Sequence, residues 1–299
     1  MMQYHLQITG GIFMKQNITL LDGAIGTTLW AKAEAHGWKK EPVWIYNLEH
    51  PEIVSEIARE YADAGSEIIL SNTFGANGPS VARSSSYAVR DVVAAGVKLA
   101  KEAVAGRGIR VALDVGPLSE LMEPYGDLEE EEVAEIYAEV FAAGVEAGAD
   151  LIFLETFIDL AMLRVAAEEA KKYGVPVFCS LSFERLGKTM MGNSPDDMIE
   201  ELEPLGVDAI GMNCSLGPDL AVPIIRKFAG KTEIPLLFKP NAGMPVLAAD
   251  GTESAEFSAK AFADGIMPAL DFVDYIGGCC GSAPSYIREI AARLGKDGD

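Results

Sequence analysis

The sequence predicts an α/β protein whose strands and helices alternate and close into a single (β/α)8 barrel, the TIM-barrel architecture. Eight short apolar or β-branched runs are each followed by an amphipathic helical stretch, with no low-complexity linker between them. An open doubly wound sheet usually has fewer strands and a G-x-G-x-x-G fingerprint, which this sequence lacks. A chain of 299 residues is long enough for one such domain.

The predicted strands and helices alternate along the chain in the order that a (β/α)8 barrel requires. Strands are predicted at residues 18–21, 67–71, 110–114, 151–155, 177–181, 209–213, 235–239 and 272–276. Helices are predicted at residues 51–64, 81–105, 128–147, 160–173, 195–205, 218–229, 254–264 and 284–294. We assign residues 16–299 to the barrel. Residues 1–15 have no periodic pattern and are interpreted as an N-terminal extension, either disordered or left by an alternative start at Met14.

The charge balance excludes some classes of partner. With 24 Lys and Arg against 45 Asp and Glu, the formal charge of −21 repels nucleic acid and anionic membrane surfaces. No run reaches the roughly 18 apolar residues of a membrane span, and the first residues lack the pattern of a secretion signal. We therefore expect a cytoplasmic protein that binds neither membranes nor nucleic acid.

Polar residues follow most of the predicted strands, at the end of the barrel where active sites form. Strand one leads into Asp22 and the turn Gly23-Ala24-Ile25-Gly26-Thr27, strand two into Asn72, strand three into Asp114, strand four into Glu155, strand six into Asn213 and Cys214, strand seven into Lys239, and strand eight into Cys279 and Cys280.

Three of the four cysteines are at the ends of strands six and eight, which lie one strand apart around a barrel. Cys214, Cys279 and Cys280 can therefore meet, and three thiolates suit a catalytic zinc ion whose fourth position is open to substrate. Two adjacent cysteines alone favour burial or a vicinal disulfide. The third cysteine and the flanking glycines favour the metal site instead. Cys179 lies inside strand five and is interpreted as a core residue.

The carboxylates at the ends of strands one and four suggest two uses. Asp22 and Glu155 suit either an acid/base pair or the binding of an α-amino group. The backbone amides of residues 23–27 suit a carboxylate, so that together these groups fit the zwitterionic end of an amino acid. Asn72 and Asn213 are interpreted equally well as ligand contacts or as groups that orient their own loops.

Four motifs together resemble the homocysteine S-methyltransferase family. They are Asp22-Gly-Ala-Ile-Gly-Thr27, Asn72-Thr-Phe74, Gly211-Met-Asn-Cys214 and Gly277-Gly-Cys-Cys-Gly281. They occur in a consistent order over most of the chain. The paired cysteines together with the upstream Asn-Cys are specific, whereas the first glycine turn alone is not.

The resemblance implies a (β/α)8 barrel with Zn²⁺ bound by Cys214, Cys279 and Cys280, and with homocysteine added through its sulfur. It also implies that Asp22 and Glu155 lie near the substrate amino group and that the backbone of residues 23–27 lies near its carboxylate. Zinc lowers the pKa of a bound thiol. The resulting thiolate is expected to attack the methyl group of an activated donor, with methionine as the product.

The resemblance leaves the methyl donor open. The pattern is most similar to the homocysteine-binding barrels of cobalamin-dependent methionine synthases, but the sequence has no Asp-x-His-x-x-Gly cobalamin signature. A separate corrinoid protein carrying methylcobalamin is therefore expected, with S-methylmethionine or betaine as the alternative. Phe74, Tyr125 and Phe157 are candidate contacts for a cationic donor, although packing is the better interpretation of each.

Two functions of other classes are compatible with a zinc site. A zinc hydrolase would use Glu155 as general base and water as the fourth ligand, but three thiolates disfavour it because such enzymes usually draw on histidine and carboxylate ligands. A non-catalytic zinc module or corrinoid-partner module would bind zinc without turnover.

Overall fold

A computed structural model describes residues 17–243 and 257–296, together with the backbone pairing of two short antiparallel hairpins. One hairpin pairs Ile8–Thr9 with Ile12–Phe13, and the other pairs Pro245–Leu247 with Glu253–Ala255. The first hairpin falls in the predicted extension 1–15, whose remaining residues lie outside the described part of the chain.

The predicted barrel is confirmed. Over residues 17–243 and 257–296, eight parallel strands are found: β1 (Thr19–Leu20), β2 (Ile68–Leu70), β3 (Arg110–Val115), β4 (Leu151–Phe157), β5 (Val177–Leu181), β6 (Ala209–Asn213), β7 (Leu236–Lys239) and β8 (Tyr275–Ile276). They pair in the order β1-β8-β7-β6-β5-β4-β3-β2. A parallel bridge between Leu21 and Ile68 joins the two ends of that order.

Helices cover the outside of the barrel. They are α1 (Ile25–Ala35), α2 (Tyr46–Glu49), α3 (Pro51–Asp63), α4 (Gly78–Ser84), α5 (Val89–Ala103), α6 (Glu130–Glu146), α7 (Leu160–Ala170), α8 (Pro195–Leu202), α9 (Pro218–Ile225), α10 (Ala259–Ile266) and α11 (Pro284–Leu294). Of the helices that the structure describes, none combines the length and apolar character needed to cross a membrane.

Two helices were not predicted, the four-residue α2 and the longer α1. α1 begins at Ile25, so Gly26 and Thr27, which were expected in a turn, lie in the first turn of a helix. The alanine-rich stretch after Trp30 favours a helix. The two glycines in front of that stretch indicated a loop and hid the signal.

Several predicted helices end three or four residues earlier than expected, as α9 does at Ile225, and two differ more. Residues 81–105 were expected as one helix but form α4 and α5, because Ser85 is extended and its hydroxyl donates to the carbonyl oxygen of Val81. The helix predicted from residue 254 begins only at Ala259, where the hydroxyl of Ser258 caps it.

Alternate residues of the strands fill the barrel interior. The inward cluster consists of Leu21, Ile68, Leu70, Ala112, Leu151, Phe153, Phe178, Ala209 and Leu237. The next inward position is two residues further along a strand. On β2, β3, β4 and β7 that position is polar, and we call Asn72, Asp114, Glu155 and Lys239 the polar layer. The interior is therefore an apolar floor beneath a polar layer at the carboxyl ends of the strands.

Acidic side chains stabilise the other end of the barrel. The carboxylates of Glu67, Asp150, Asp208 and Asp274 each accept the backbone N–H of the first or second residue of a neighbouring strand, at 2.7–2.9 Å. Three of these acids are the last residue of a Gly-x-acid sequence whose glycine has a positive φ. The glycine ends the preceding helix, and the acid then begins the hydrogen bonding of the sheet.

We expect Asp150→Ala to destabilise the fold. It removes the acceptor of the N–H of Val111, which lies 2.7 Å from the Asp150 carboxylate. Leaving a buried amide without a partner costs about 1–3 kcal/mol, so urea unfolding should show a loss of this size. Asp63→Ala is the control, because Asp63 pairs with Arg107 at the surface. Its effect should stay within about 0.5 kcal/mol, and equal losses in the two variants would contradict the role of the backbone contact.

Candidate active site

A cavity of about 410 Å³ opens at the carboxyl ends of the strands. The polar layer forms part of its wall, and the three cysteines of the sequence motifs form another part. Residues 23–27 and 42–44 complete the side next to α1. Asp22 and Asn213, both predicted to bind substrate, are fully buried behind this lining.

Cys214, Cys279 and Cys280 come together. Their Sγ atoms all lie within 4.8 Å of one another, and those of Cys214 and Cys280 are 3.8 Å apart. A tetrahedral zinc ion with Zn–S bonds of about 2.3 Å keeps its sulfur ligands about 3.8 Å apart. The three thiols therefore fit one small thiophilic metal ion.

The backbone at the end of β7 and just after it holds both cysteine loops. The N–H of Cys214 donates to the carbonyl oxygen of Lys239 at 3.1 Å, and the N–H of Cys279 donates to that of Pro240 at 2.8 Å. The N–H of Ala242 donates to the carbonyl oxygen of Cys280 at 2.9 Å. Because β7 lies between β6 and β8, one segment fixes all three thiols.

The local backbone is unusual at these loops. Cys214 has a φ of 62°, a left-handed conformation that is uncommon outside glycine and is often found at functional sites. Gly281 has a φ of 81°. A Cβ on Gly278 would lie 2.2 Å from the hydroxyl oxygen of Ser282. The glycines of the paired-cysteine motif therefore allow the turn that brings both thiols inward.

Asn213 is buried behind the cavity lining and contacts both a cysteine and β4. Its Nδ2 donates to the hydroxyl of Thr156 at 2.6 Å and lies 3.6 Å from the Sγ of Cys279. Its Oδ1 accepts the N–H of Thr156 at 2.8 Å. Asn213 thereby ties a cysteine to the residue that follows Glu155 in β4.

The three thiols hold their protons unequally. Hydrogen bonds donated by Cys279 and Cys280 lower the pKa of Cys214 to about 3. The bond that Cys280 donates to Cys214 raises the pKa of Cys280 to about 11, and the pKa of Cys279 is raised for the same reason. Without a metal, one thiolate is therefore stabilised by two thiols.

Lys239 is a buried cation that the sequence analysis left without a role. Its Nζ lies 3.0 Å from Oδ1 of Asp22 and 3.5 Å from Oε2 of Glu155. Burial lowers the pKa of Lys239, but the charges of Asp22 and Glu155 outweigh it, and the pKa is raised. The amine is therefore charged. The alternation along β7 from Leu237, which faces inward, is a signal that points to this position.

The two carboxylates of the polar layer are harder to ionise than surface acids. Burial raises the pKa of Glu155, although the charge of Lys239 opposes the shift. Burial, and then the charge of Glu155, raise the pKa of Asp114 well above its usual value. Both residues line the cavity.

The N-terminus of α1 faces the cavity. Ile25, Gly26 and Thr27 line it, and their N–H groups precede the first bond of the helix, from the N–H of Thr28 to the carbonyl oxygen of Ala24. The first turn of α1 has no acidic side chain. Free amides at a helix N-terminus suit an anion such as a carboxylate.

Of the three aromatic side chains predicted as possible donor contacts, only one lines the cavity. Phe74 lines the cavity, Phe157 is fully buried in the core, and Tyr125 is 72% exposed. Trp30 and Trp44 also line the cavity and were not predicted. The Nζ of Lys40 lies 4.0 Å from the ring centre of Trp30.

The fold and the site define a (β/α)8-barrel enzyme that presents three thiols to one cavity. The model of a protein family, homocysteine S-methyltransferase, matches residues 19–294. The chain belongs to the homocysteine S-methyltransferase family.

Two similar proteins are methionine synthases. Methionine synthase of Mycobacterium tuberculosis (strain ATCC 25618 / H37Rv) is 31% identical over 306 residues, which cover 94% of this chain and 25% of that protein. Methionine synthase of Mycobacterium leprae (strain TN) is 31% identical over 96% of this chain and 25% of its own length. The chain therefore spans about a quarter of these relatives.

A solved structure has a similar fold. The metallated form of the homocysteine methyltransferase MmuM from Escherichia coli has a TM-score of 0.76 and 25% identity. The match covers 93% of this chain and 97% of that chain.

We expect the metal-free thiols to differ in reactivity. The thiolate is the nucleophile, so at about pH 6 iodoacetamide should alkylate Cys214 far faster than Cys280. The rate at Cys214 should stay nearly flat as the pH rises to neutral, because its pKa of about 3 lies below this range. Peptide mass spectrometry would measure both rates. A Cys214 rate that climbs tenfold per pH unit would contradict the hydrogen-bonded thiolate.

Proposed function

We propose that this barrel transfers a methyl group to the thiol of homocysteine to give methionine. In the proposal, Cys214, Cys279 and Cys280 hold Zn²⁺ and a separate corrinoid protein brings the methyl group. One observation supports the proposal most strongly. Three thiol sulfurs lie within 4.8 Å of one another at a cavity that is also lined by a helix N-terminus and by carboxylates.

The cavity offers a partner for each polar group of homocysteine. The substrate sulfur belongs beside the three cysteines, and the N–H groups at the start of α1 suit its carboxylate. The carboxylates of the polar layer suit its ammonium. A substrate bound at three points has a fixed orientation, and orientation is a large part of the catalysis of group transfer.

Bound zinc would keep the substrate thiol ionised near neutral pH. The side chains of the barrel then have no proton to remove, which agrees with the pairing of Glu155 to Lys239 at 3.5 Å. The apolar floor below the polar layer, which includes Phe153 and Leu237, excludes water from that side of the cavity. The ion pair and the thiol ligands also favour thiol methylation over zinc-dependent hydrolysis.

Exposed apolar side chains near the cavity favour a protein-borne donor. Leu186 is 89% exposed, Met190 69% and Tyr125 72%, and all three are on loops that follow strands at the cavity end of the barrel. A contiguous apolar patch often marks an interaction site, and in the proposal these two loops form such a patch around the donor protein. Free thiols as ligands also suit a reducing compartment such as the cytoplasm.

We expect Cys280→Ala to lose most bound zinc and all methyl transfer, because two thiols and no third ligand remain. Metal analysis of the purified protein measures the zinc, and X-ray absorption should show sulfur ligation rising from three to four when homocysteine is added to the unchanged protein. Cys179→Ala is the control, since Cys179 is buried in β5 away from the site; it should keep both zinc and activity. Full zinc retention by Cys280→Ala would refute the three-cysteine site.

Assays with small-molecule methyl donors test which class of donor the protein uses. Zinc-loaded protein with homocysteine should form methionine from free methylcobalamin and not from S-methylmethionine or betaine. Leu186→Ser is the matched control, because a small free donor should not depend on the exposed loop. Methionine formed from S-methylmethionine instead would reject the corrinoid donor while leaving the zinc site intact.

A further inference from the structure

We propose that Asn213 is a positioning residue that joins the two halves of the candidate site. Its amide holds a bulge in β4 that turns Glu155 and Thr156 towards the cavity, and the same amide supports the thiol of Cys279. This role rests on the proposed function, because it concerns how the homocysteine site is held in shape. Of the two roles predicted for Asn213, it favours orientation of neighbouring groups over contact with the substrate.

The bulge is an extra residue near the carboxyl end of β4. Leu154 pairs with Cys179 of β5. The next pair joins Phe157 with Leu181, which is three residues further along β4 but only two further along β5. Bulges of this kind bend a strand and are often found next to active sites, where they redirect a side chain.

The bulge turns two consecutive side chains to the same side of the sheet. In a regular strand neighbouring side chains point to opposite faces, and Phe153 points into the barrel. Glu155 continues that alternation and lines the cavity, but Thr156 lines the cavity as well. Phe157 then packs against Tyr137 of α6 on the outside, with the ring centres 6.1 Å apart.

The bulge contains a strained residue that Asn213 holds in place. Thr156 has a φ of 64°, and a β-branched residue is a genuine outlier in this left-handed region. Such a conformation persists only where its surroundings fix it. The N–H of Thr156 donates to Oδ1 of Asn213 at 2.8 Å, and the Thr156 hydroxyl accepts Nδ2 of Asn213 at 2.6 Å.

The Asn213 amide has no capacity left for a substrate. An asparagine amide can donate two hydrogen bonds and accept two. Besides its two bonds with Thr156, it accepts the hydroxyl of Ser180 at 2.7 Å and donates to Sγ of Cys279 at 3.6 Å. Because a main-chain N–H can only donate, the bond from Thr156 fixes which end of the amide faces each partner. Asn213 is also fully buried, so it acts on a substrate only through its neighbours.

The place of Asn213 in the barrel explains why one side chain serves both ends of the cavity. It is the last residue of β6, directly before Cys214, and β5 lies between β6 and β4. Its amide therefore links the strand that presents Glu155 to the loops that present the thiols. In the proposed function, Glu155 receives the substrate ammonium and the cysteines hold the sulfur through zinc. The link thus fixes the distance between two contacts of one small molecule, on which its orientation depends.

The test compares two thiols that differ only in the amino group. Calorimetry on zinc-loaded protein would measure the affinities of homocysteine and of its des-amino analogue, γ-mercaptobutyrate. Their ratio reports on the amino group, because both thiols bind the same metal. In Asn213→Ala the ratio should fall by about tenfold or more, the value of a charge-assisted hydrogen bond. Competition with a chelator should show zinc bound about 10–100-fold more weakly, as is typical when a group that contacts a metal ligand is removed.

Asn193→Ala is the matched control. The side chain of Asn193 also accepts a main-chain N–H from another loop, that of Leu160 at 3.4 Å, but it lies outside the cavity lining. This variant should change neither the ratio nor the zinc affinity.

A second substitution at Thr156 distinguishes positioning from a general loss of structure. Glycine adopts a left-handed conformation without strain. Asn213→Ala combined with Thr156→Gly should therefore recover most of the preference for homocysteine, while the zinc affinity stays low. An equal loss of preference in the single and double variants would overturn the inference, and so would an unchanged preference in Asn213→Ala.

Asn213→Asp replaces the alanine variant if that variant does not fold. The aspartate keeps an acceptor for the N–H of Thr156 but has no N–H for Cys279, so the preference should survive and zinc should bind more weakly. Loss of the preference or an unchanged zinc affinity in this variant would contradict the role of the amide. Wild-type protein that binds neither thiol would overturn the proposed function itself.

Discussion

The site depends on the short segment formed by the last residue of β7 and the residues that follow it. Because β7 lies between β6 and β8, the main chain of Lys239 and Pro240 accepts hydrogen bonds from Cys214 and Cys279, which are far apart in sequence. Main-chain bonds set the distance between the cysteine loops more rigidly than side-chain contacts would. The same segment sends the Lys239 side chain into the interior. One piece of backbone therefore controls both the spacing of the thiols and the charge of the polar layer.

The buried ions of the polar layer depend on one another. Lys239 is the only buried lysine or arginine among the described residues, and removing one partner of a buried ion pair costs about 3–5 kcal/mol. Taking both charges out of water offsets their attraction, so the intact pair adds little stability over an apolar core. The pair instead fixes the positions of its side chains. The carboxylate of Asp22 accepts the N–H of Leu70 and also accepts the Nζ of Lys239. The charges are in place before a ligand arrives, so little reorganisation is needed on binding.

The sequence predicted the parts of this architecture that follow from periodicity. Strand positions follow from apolar runs, and the meeting of Cys214 with Cys279 and Cys280 follows from strand order, because strand ends converge in a barrel. Contacts across the barrel do not follow from periodicity. The reach of Lys239 to Asp22 depends on a rotamer and on barrel geometry. For Asn213, a ligand contact and a loop-orienting role were predicted equally, because a strand-end position does not reveal that its amide turns towards Thr156.

The interior can hold this many ionisable groups because charges of opposite sign alternate across it. Three cysteine thiolates and a substrate thiolate would outweigh the charge of one divalent ion, and surplus charge is poorly screened in an enclosed cavity. Lys239 opposes that surplus, since the charge of Cys279 contributes to raising its pKa. Asp22 and Glu155 also keep the lysine charged. The charge of Lys239 thus offsets part of the repulsion between thiolates and carboxylates inside one barrel, a repulsion seen where burial and also the charge of Cys214 raise the pKa of Glu155.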